Sequence, residues 1–278
     1  MVTRALNAGV VLLWLTSIAA LFIRDILPSW LAGQAPPVVS AQHLRYMRER
    51  SRQTGIFGPE GWRIGTNWVE FIPTHDLILV KSTTAIEGFR LLPPLRIESQ
   101  VRLRTDGTLD QFILNVYGAP IPVRLRGENY ESDFACELQM GEVVHRWRMD
   151  VETTRMLTQT FKPFTHLPHL RVGQSWQMRI VDPLAALTGG SARFEPMVAR
   201  VTGTRDIHHR GEDIRCLVVE APRLRALVAP TGEVLRHELT LPGLGRISGV
   251  DEPFDRAALQ RVRARIPSYS QWKDGAGA

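Results

Sequence analysis

From residue 62 onward apolar and polar side chains alternate with a period of two, the signature of strands that bury one face. Ile97, Ser99, Val101 and Leu103 alternate with Glu98, Gln100, Arg102 and Arg104, and Trp176, Met178 and Ile180 alternate with Gln177 and Arg179. Turn chemistry recurs between the runs, at Asp106-Gly107, Gly118, Gly127-Glu128-Asn129, Gly141 and Thr231-Gly232, so strands follow one another directly. The pattern predicts strands over 62–72, 76–84, 97–105, 108–117, 121–127, 130–139, 142–151, 174–181, 196–206, 213–220, 223–229 and 233–241. No βαβ crossover pattern is present, which excludes a doubly wound fold and its usual nucleotide site. The expected fold is mainly β, one large antiparallel sheet with few short helices. So large a sheet curves into a half-barrel because accumulated twist disfavours a flat one.

The pattern is different at the two ends. Ala5 to Ile23 is a run of 19 residues without a charge, long enough to span a bilayer as a helix. Ser17-Ile18-Ala19 has the small-x-small form of a signal-peptide cleavage site, but the apolar run continues through Leu21-Phe22-Ile23, which favours an uncleaved transmembrane signal anchor. Arg4 and the α-amine outweigh Arg24, offset by Asp25, and favour an inside N-terminus. Helix is expected also at 41–53, where Arg45, Arg48, Arg50 and Arg52 surround Leu44 and Met47, at 183–188, and at Phe254 to Ile266. The organisation expected is therefore an anchor over 1–26, a tether and juxtamembrane basic segment over 27–60, the antiparallel domain over 61–250, and a short helix with a disordered tail over 251–278. Such a protein would sit in the inner membrane by a single pass, its β domain in the periplasm or another extracytoplasmic space.

The 278 residues carry 34 Lys and Arg against 28 Asp and Glu, a net charge of +6, and are 44% hydrophobic, ample for a sizeable core. Lys81, Lys162 and Lys273 are the only lysines. Arginines recur as the pairs Arg102/Arg104, Arg124/Arg126 and Arg146/Arg148, spaced 22 residues apart. One hairpin repeat separates them, so they lie on alternate strands and point to one face, with Glu131, Asp133 and Glu137 on a strand between. Arg124 and Arg126 are expected opposite Asp133 and Glu131. Interleaved charge of this kind fixes register and solubilises a face. It accounts for the basicity without nucleic acid, for which no motif or stacking platform is present.

Candidate chemistry is sparse. His145 and His237 fall on apolar faces, in Val143-x-His145-x-Trp147 and Leu235-x-His237-x-Leu239, and with Trp147, Trp176 and Met178 they are the residues expected to line a cleft. His166 and His169 bracket Pro168, which disfavours a helix and so does not place both rings on one face. That stretch, FKPFTHLPHLRVGQSW, reads as a connector between two halves of the sheet. Cys136 and Cys216 lack zinc spacing and have apolar alternate neighbours, which favours two small buried thiols over a disulfide. Gly173-Gln174-Ser175-Trp176-Gln177 lacks the second glycine of a nucleophile elbow. No catalytic residue, cofactor or metal is expected.

GWRIGTNWVEF, TDGTLDQFILNVYG, FKPFTHLPHLRVGQSW and VAPTGEVLRHELTLPGLG, spread over residues 61 to 245, together resemble a diffuse group of bacterial envelope β domains. The group includes a domain found ahead of transglutaminase-like modules, and more distantly the layout is similar to LolA/LolB-type lipoprotein carriers. The resemblance implies an incompletely closed antiparallel barrel with an apolar concave face and brings no catalytic residue. The function expected is non-enzymatic: binding a lipid, lipoprotein or other amphiphile on the concave face. The alternative is an accessory subunit docking a membrane transporter or envelope-assembly complex.

Overall fold

The computed structural model describes residues 50–87, 93–106, 108–119, 121–130, 133–149, 166–181, 194–241 and 245–265. They form one antiparallel sheet of 14 strands, curved and unclosed, with a helix packed on it. In chain order the strands are β1 (Ser51–Phe57), β2 (Arg63–Pro73), β3 (Leu77–Ile86), β4 (Leu95–Arg104), β5 (Leu109–Tyr117), β6 (Val123–Tyr130) and β7 (Asp133–Met140). Then follow β8 (Val143–Met149), β9 (Ser175–Val181), β10 (Phe194–His209), β11 (Glu212–Ala221), β12 (Leu224–Val228), β13 (Val234–Leu241), β14 (Gly245–Glu252) and the helix α1 (Arg256–Arg265). The spatial order is β8-β7-β6-β5-β4-β3-β2-β1-β14-β13-β12-β11-β10-β9. The chain thus walks from the middle to one edge, starts again at the opposite edge, and returns until β14 pairs with β1.

That central pair is the main departure from the expected strands, since neither β1 nor β14 was among them. Ser51–Gln53, expected at the end of a basic helix, is strand. Arg52 and Gln53 look solvent-facing in sequence yet are buried, 5% and 7% exposed, because distant partners satisfy them. Arg52 pairs with Glu233 at 2.8 Å; Gln53 donates to Glu252 at 3.0 Å and accepts from the Asp255 amide at 2.8 Å. Gly55 lies where an added Cβ would meet the Glu252 carboxylate. The segments 5–23, 41–49 and 183–188 lie outside the described residues. Among those described, no helix is long and apolar enough to cross a membrane.

Cross-strand register sorts the first half into two faces. Phe71, Val80, Val101, Phe112, Gly127, Cys136 and Trp147 follow one another across β2 to β8. With Val69, Ile78, Leu103, Leu109 and Phe134 they make the core of this half. Phe112 and Phe134 stack with centroids 5.8 Å apart, directly over Gly127. Gly127 therefore belongs to the interior of β6, where two rings come too close for a side chain, rather than to a turn. For that reason β6 runs on to Tyr130, Arg126 faces Glu137, and Arg124 faces Gln139, which corrects the pairing expected with Glu131 and Asp133. The acidic and basic side chains do share one face, opposite the core.

On that second face α1 covers β2 to β4. Its start is capped by Asp255, whose carboxylate accepts the Ala258 amide at 2.9 Å, a common N-cap. Leu259, 1% exposed, packs with Trp68 and Ala85. The other end is held by Arg96, also 1% exposed, which donates to the Arg263 carbonyl at 2.7 Å. Its guanidinium lies 4.4 Å from the Tyr117 ring centroid. The dipole of α1 and the unsatisfied carbonyls of its last turn favour a cation at this position.

Two further apolar clusters fill the second half: Trp176, Met197, Ala199, Val201, Val219, Ala226, Val228 and Val234 on one side, Cys216, Val218, Leu227, Ala229 and Leu235 on the other. The connector from 166 to 174 lies across the first. His166 forms a single bridge with Glu233, Leu167 donates to the Gly232 carbonyl at 2.6 Å, and Gly173 donates to Val201. Leu167 and Leu170 pack on the cluster.

Candidate functional site

The five residues expected in a cleft occupy three places in the sheet. His145 and Trp147 sit on β8 with rings 5.4 Å apart. His145 shares a face with Leu138 but is exposed, β8 being the outermost of the described strands on that side; Trp147 packs against the first-half core. Trp176 is buried, 4% exposed, on β9 at the opposite end of that order, and Met178 pairs with Met197 across β9 and β10. His237, on β13, lays its ring over Gly249 of β14, and burial lowers its pKa below the ordinary 6.5.

His166 is buried beside Gly232, whereas His169 is exposed in a left-handed conformation, φ 59°. Among the described residues no group of three or more His, Cys, Asp or Glu side chains could hold a metal. Cys136 and Cys216 are free, buried, and in different clusters. Burial pushes the Cys136 thiol up to about 12 and raises Cys216 as well, so neither is a thiolate near neutrality.

At the seam between the halves lies a polar clasp around the buried carboxylate of Asp251, 8% exposed. The β10–β11 turn uses two left-handed residues, Arg210 (φ 51°) and Gly211 (φ 87°), the pairing that suits a tight hairpin. It brings Arg210 within 2.9 Å and His209 within 3.3 Å of Asp251 on β14. Arg210 also donates to the Glu252 carbonyl at 2.9 Å. Burial raises the Asp251 pKa, against the opposing pull of Arg210, Arg52 and His209. An arginine at positive φ is strained; here its reach to a buried carboxylate offsets that cost.

The feature that single-strand periodicity did not reveal is a strip of apolar side chains on the core-bearing face, beyond the core. Ile97, Val116, Val123, Met140 and Val143 align across β4 to β8, and Leu114, Leu125, Leu138 and His145 align in the next row. Leu138 is buried, Ile97, Leu114, Val116, Val123 and Leu125 are half-buried, and Met140 and Val143 are 36% and 63% exposed. Ile121 lies beside Gly141 at the same end and is 57% exposed. Each residue could be assigned to a face from sequence, but the rows depend on register.

On the opposite face the charges interleave strand by strand. Arg102 and Arg104 reach Asp110 at 3.6 and 3.3 Å. Arg126 and Arg146 converge on Glu137 at 3.1 and 2.7 Å, the Arg146 hydrogen bond leading in holding that carboxyl below its usual range. Arg148 reaches Asp133 at 3.4 Å.

No protein-family model and no curated protein matches the chain. The chain is similar to a solved structure of a DUF1089 family protein from Pseudomonas aeruginosa, with 15% identity over 64% of this chain and 90% of that one, at a TM-score of 0.34. This is a distant β-fold likeness that carries no argument about function, and it lends no support to the LolA-like or transglutaminase-linked resemblance.

Proposed function

We propose that the chain is a non-enzymatic extracytoplasmic β-domain protein, anchored in the inner membrane by residues 1–26, that holds a lipid, lipoprotein or other amphiphile on the concave apolar face of its sheet. The observation that carries this reading is the strip formed by Ile97, Val116, Val123, Met140 and Val143 with Leu114 and Leu125 beside it. Contiguous partly exposed apolar surface marks an interaction site more often than isolated exposed residues do. The strip is continuous with a packed core, so an acyl chain laid there would exchange water for side chains on one side only.

The test is extraction of the full chain in mild detergent and mass spectrometry of bound lipid, for the wild type and for Val116→Asp, a half-buried position on the strip. Stoichiometric lipid in the wild type, lost in the folded variant, supports the reading. Recovery of a stoichiometric protein partner with no lipid overturns it in favour of the accessory-subunit reading. The exposed apolar and arginine side chains at the β8 edge favour that second reading.

A further inference from the structure

We infer that β8 is an acceptor edge that adds one strand from a protein partner, an extended segment alternating acidic and apolar residues. This deepens the accessory-subunit reading and is independent of the amphiphile reading, whose failure would leave it untouched. Among the described residues no strand pairs the outer side of β8. Its side chains are correspondingly bare: Val143 is 63% and Val144 42% exposed, and the side chains of Arg146 and Arg148 are 74% and 67% exposed.

Charge states what fits. Basic strands β4, β6 and β8 alternate with β5 and β7, which supply Asp110, Asp133 and Glu137. Among the described residues the alternation breaks off on a basic strand. Arg146 and Arg148 each reach a carboxylate of β7, Glu137 and Asp133, but Glu137 is shared with Arg126, so three guanidinium groups meet two carboxylates and positive charge is left in excess on the exposed arginines of β8. The next strand in the series would place acids opposite Arg146 and Arg148, and on its other face apolar residues opposite His145, Trp147 and Met149. Main-chain hydrogen bonds give such an added strand its affinity and alternate side chains its specificity.

Edge charges also deter pairing, but they deter only partners of like sign. A second copy joined β8 to β8 would set these arginines against one another, which disfavours self-association. Exposed Val143, Val144 and Met140, with Tyr130 at 56%, are an apolar surround that a merely protected edge would lack.

The experiment uses the full chain and two short capped peptides, one alternating glutamate with valine, the other lysine with valine, read by fluorescence anisotropy. Two exposed cross-strand charge pairs correspond to about a fivefold preference for the glutamate peptide. The preference should shrink with added salt and invert in Arg146→Glu/Arg148→Glu. Alternate N-methylation of the glutamate peptide, which removes the donors a strand needs, should abolish binding. Equal affinity for both peptides, no saturable binding of either, or a preference unchanged in the charge-reversed variant would overturn the inference. So would a dimer of the wild-type chain that the charge reversal dissociates, because a second copy would then own the edge.

Discussion

Replacing Arg96 with Met keeps most of the side-chain stem in place and removes the guanidinium that holds the end of α1. The wild-type group is 1% exposed, donates to the Arg263 carbonyl at 2.7 Å, and lies 4.4 Å from the Tyr117 ring centroid. A charge-assisted hydrogen bond contributes about 1.5–3 kcal/mol, and a desolvated cation–π contact about 2 kcal/mol. Against this stands the desolvation of a buried cation, several kcal/mol before its partners are counted, which methionine does not incur. A net loss of about 2 kcal/mol follows, or about 4–8 °C in Tm for a chain of this size. Amide exchange localises the effect: the α1 amides from Leu259 to Arg263 should exchange at least tenfold faster in the variant, while those of β10 and β11 stay protected. Arg96→Lys should recover little, because a lysine supplies a point charge without the planar group that stacks on Tyr117. Wild-type melting together with wild-type protection of α1 in Arg96→Met would refute the reasoning.

Gly127→Ala should cost about 1–3 kcal/mol by urea unfolding, as overpacking under Phe112 and Phe134, and combining it with Phe134→Leu should recover part of the loss; additive effects would count against the contact. The lowered pKa of His237 means that the unfolded chain takes the proton first as pH falls below about 6.5. Its contribution to stability is thus complete above that pH and lost on acidification, and the difference between wild type and His237→Gln across pH 5–7 should show that slope. Cys136 and Cys216 should resist iodoacetamide at pH 8 until denaturant is added, and reductant should leave Tm unchanged; a reductant-sensitive Tm would contradict two free buried thiols. Arg210→Asn, which keeps a side chain tolerant of the left-handed turn but releases Asp251, should destabilise by about 2 kcal/mol, and an unchanged urea midpoint would argue against the clasp.

What the chain shows of its own fold follows a physical line. Twelve strands were legible because each alternates on its own, and burial of one face needs no knowledge of the partner. β1 was hidden because its buried residues include Arg52 and Gln53, whose partners Glu233 and Glu252 are far along the chain, and β14 because a glycine and a carboxylate, Gly249 and Asp251, take its most covered positions. Gly127 read as a turn because a glycine excluded by two aromatic rings has the same symbol as one needed for a positive φ. The arginine pairs disclosed their common face at a distance, since spacing alone fixes parity. Their partners needed register, and register moved with that single glycine. The cleft residues show the same limit: alternation placed His145, Trp147, Trp176 and His237 on apolar faces, but the strand order that separates them is a property of the whole sheet.

The pairing of β1 with β14 bears on how the chain is made as well as on its final shape. The strands from β1 to β8 and from β9 to β14 join sequence neighbours in hairpins, so each series can zip up locally and early. Gln53 and Glu252 meet across a sequence separation of 199 residues, and such contacts form slowly because loop closure must precede them. During synthesis β1 therefore waits with an open edge until β14 emerges. A nascent or truncated chain lacking β14 exposes that edge together with Arg52 and Gln53, which turns the middle of the finished sheet into an open, pairing-competent edge of the unfinished one.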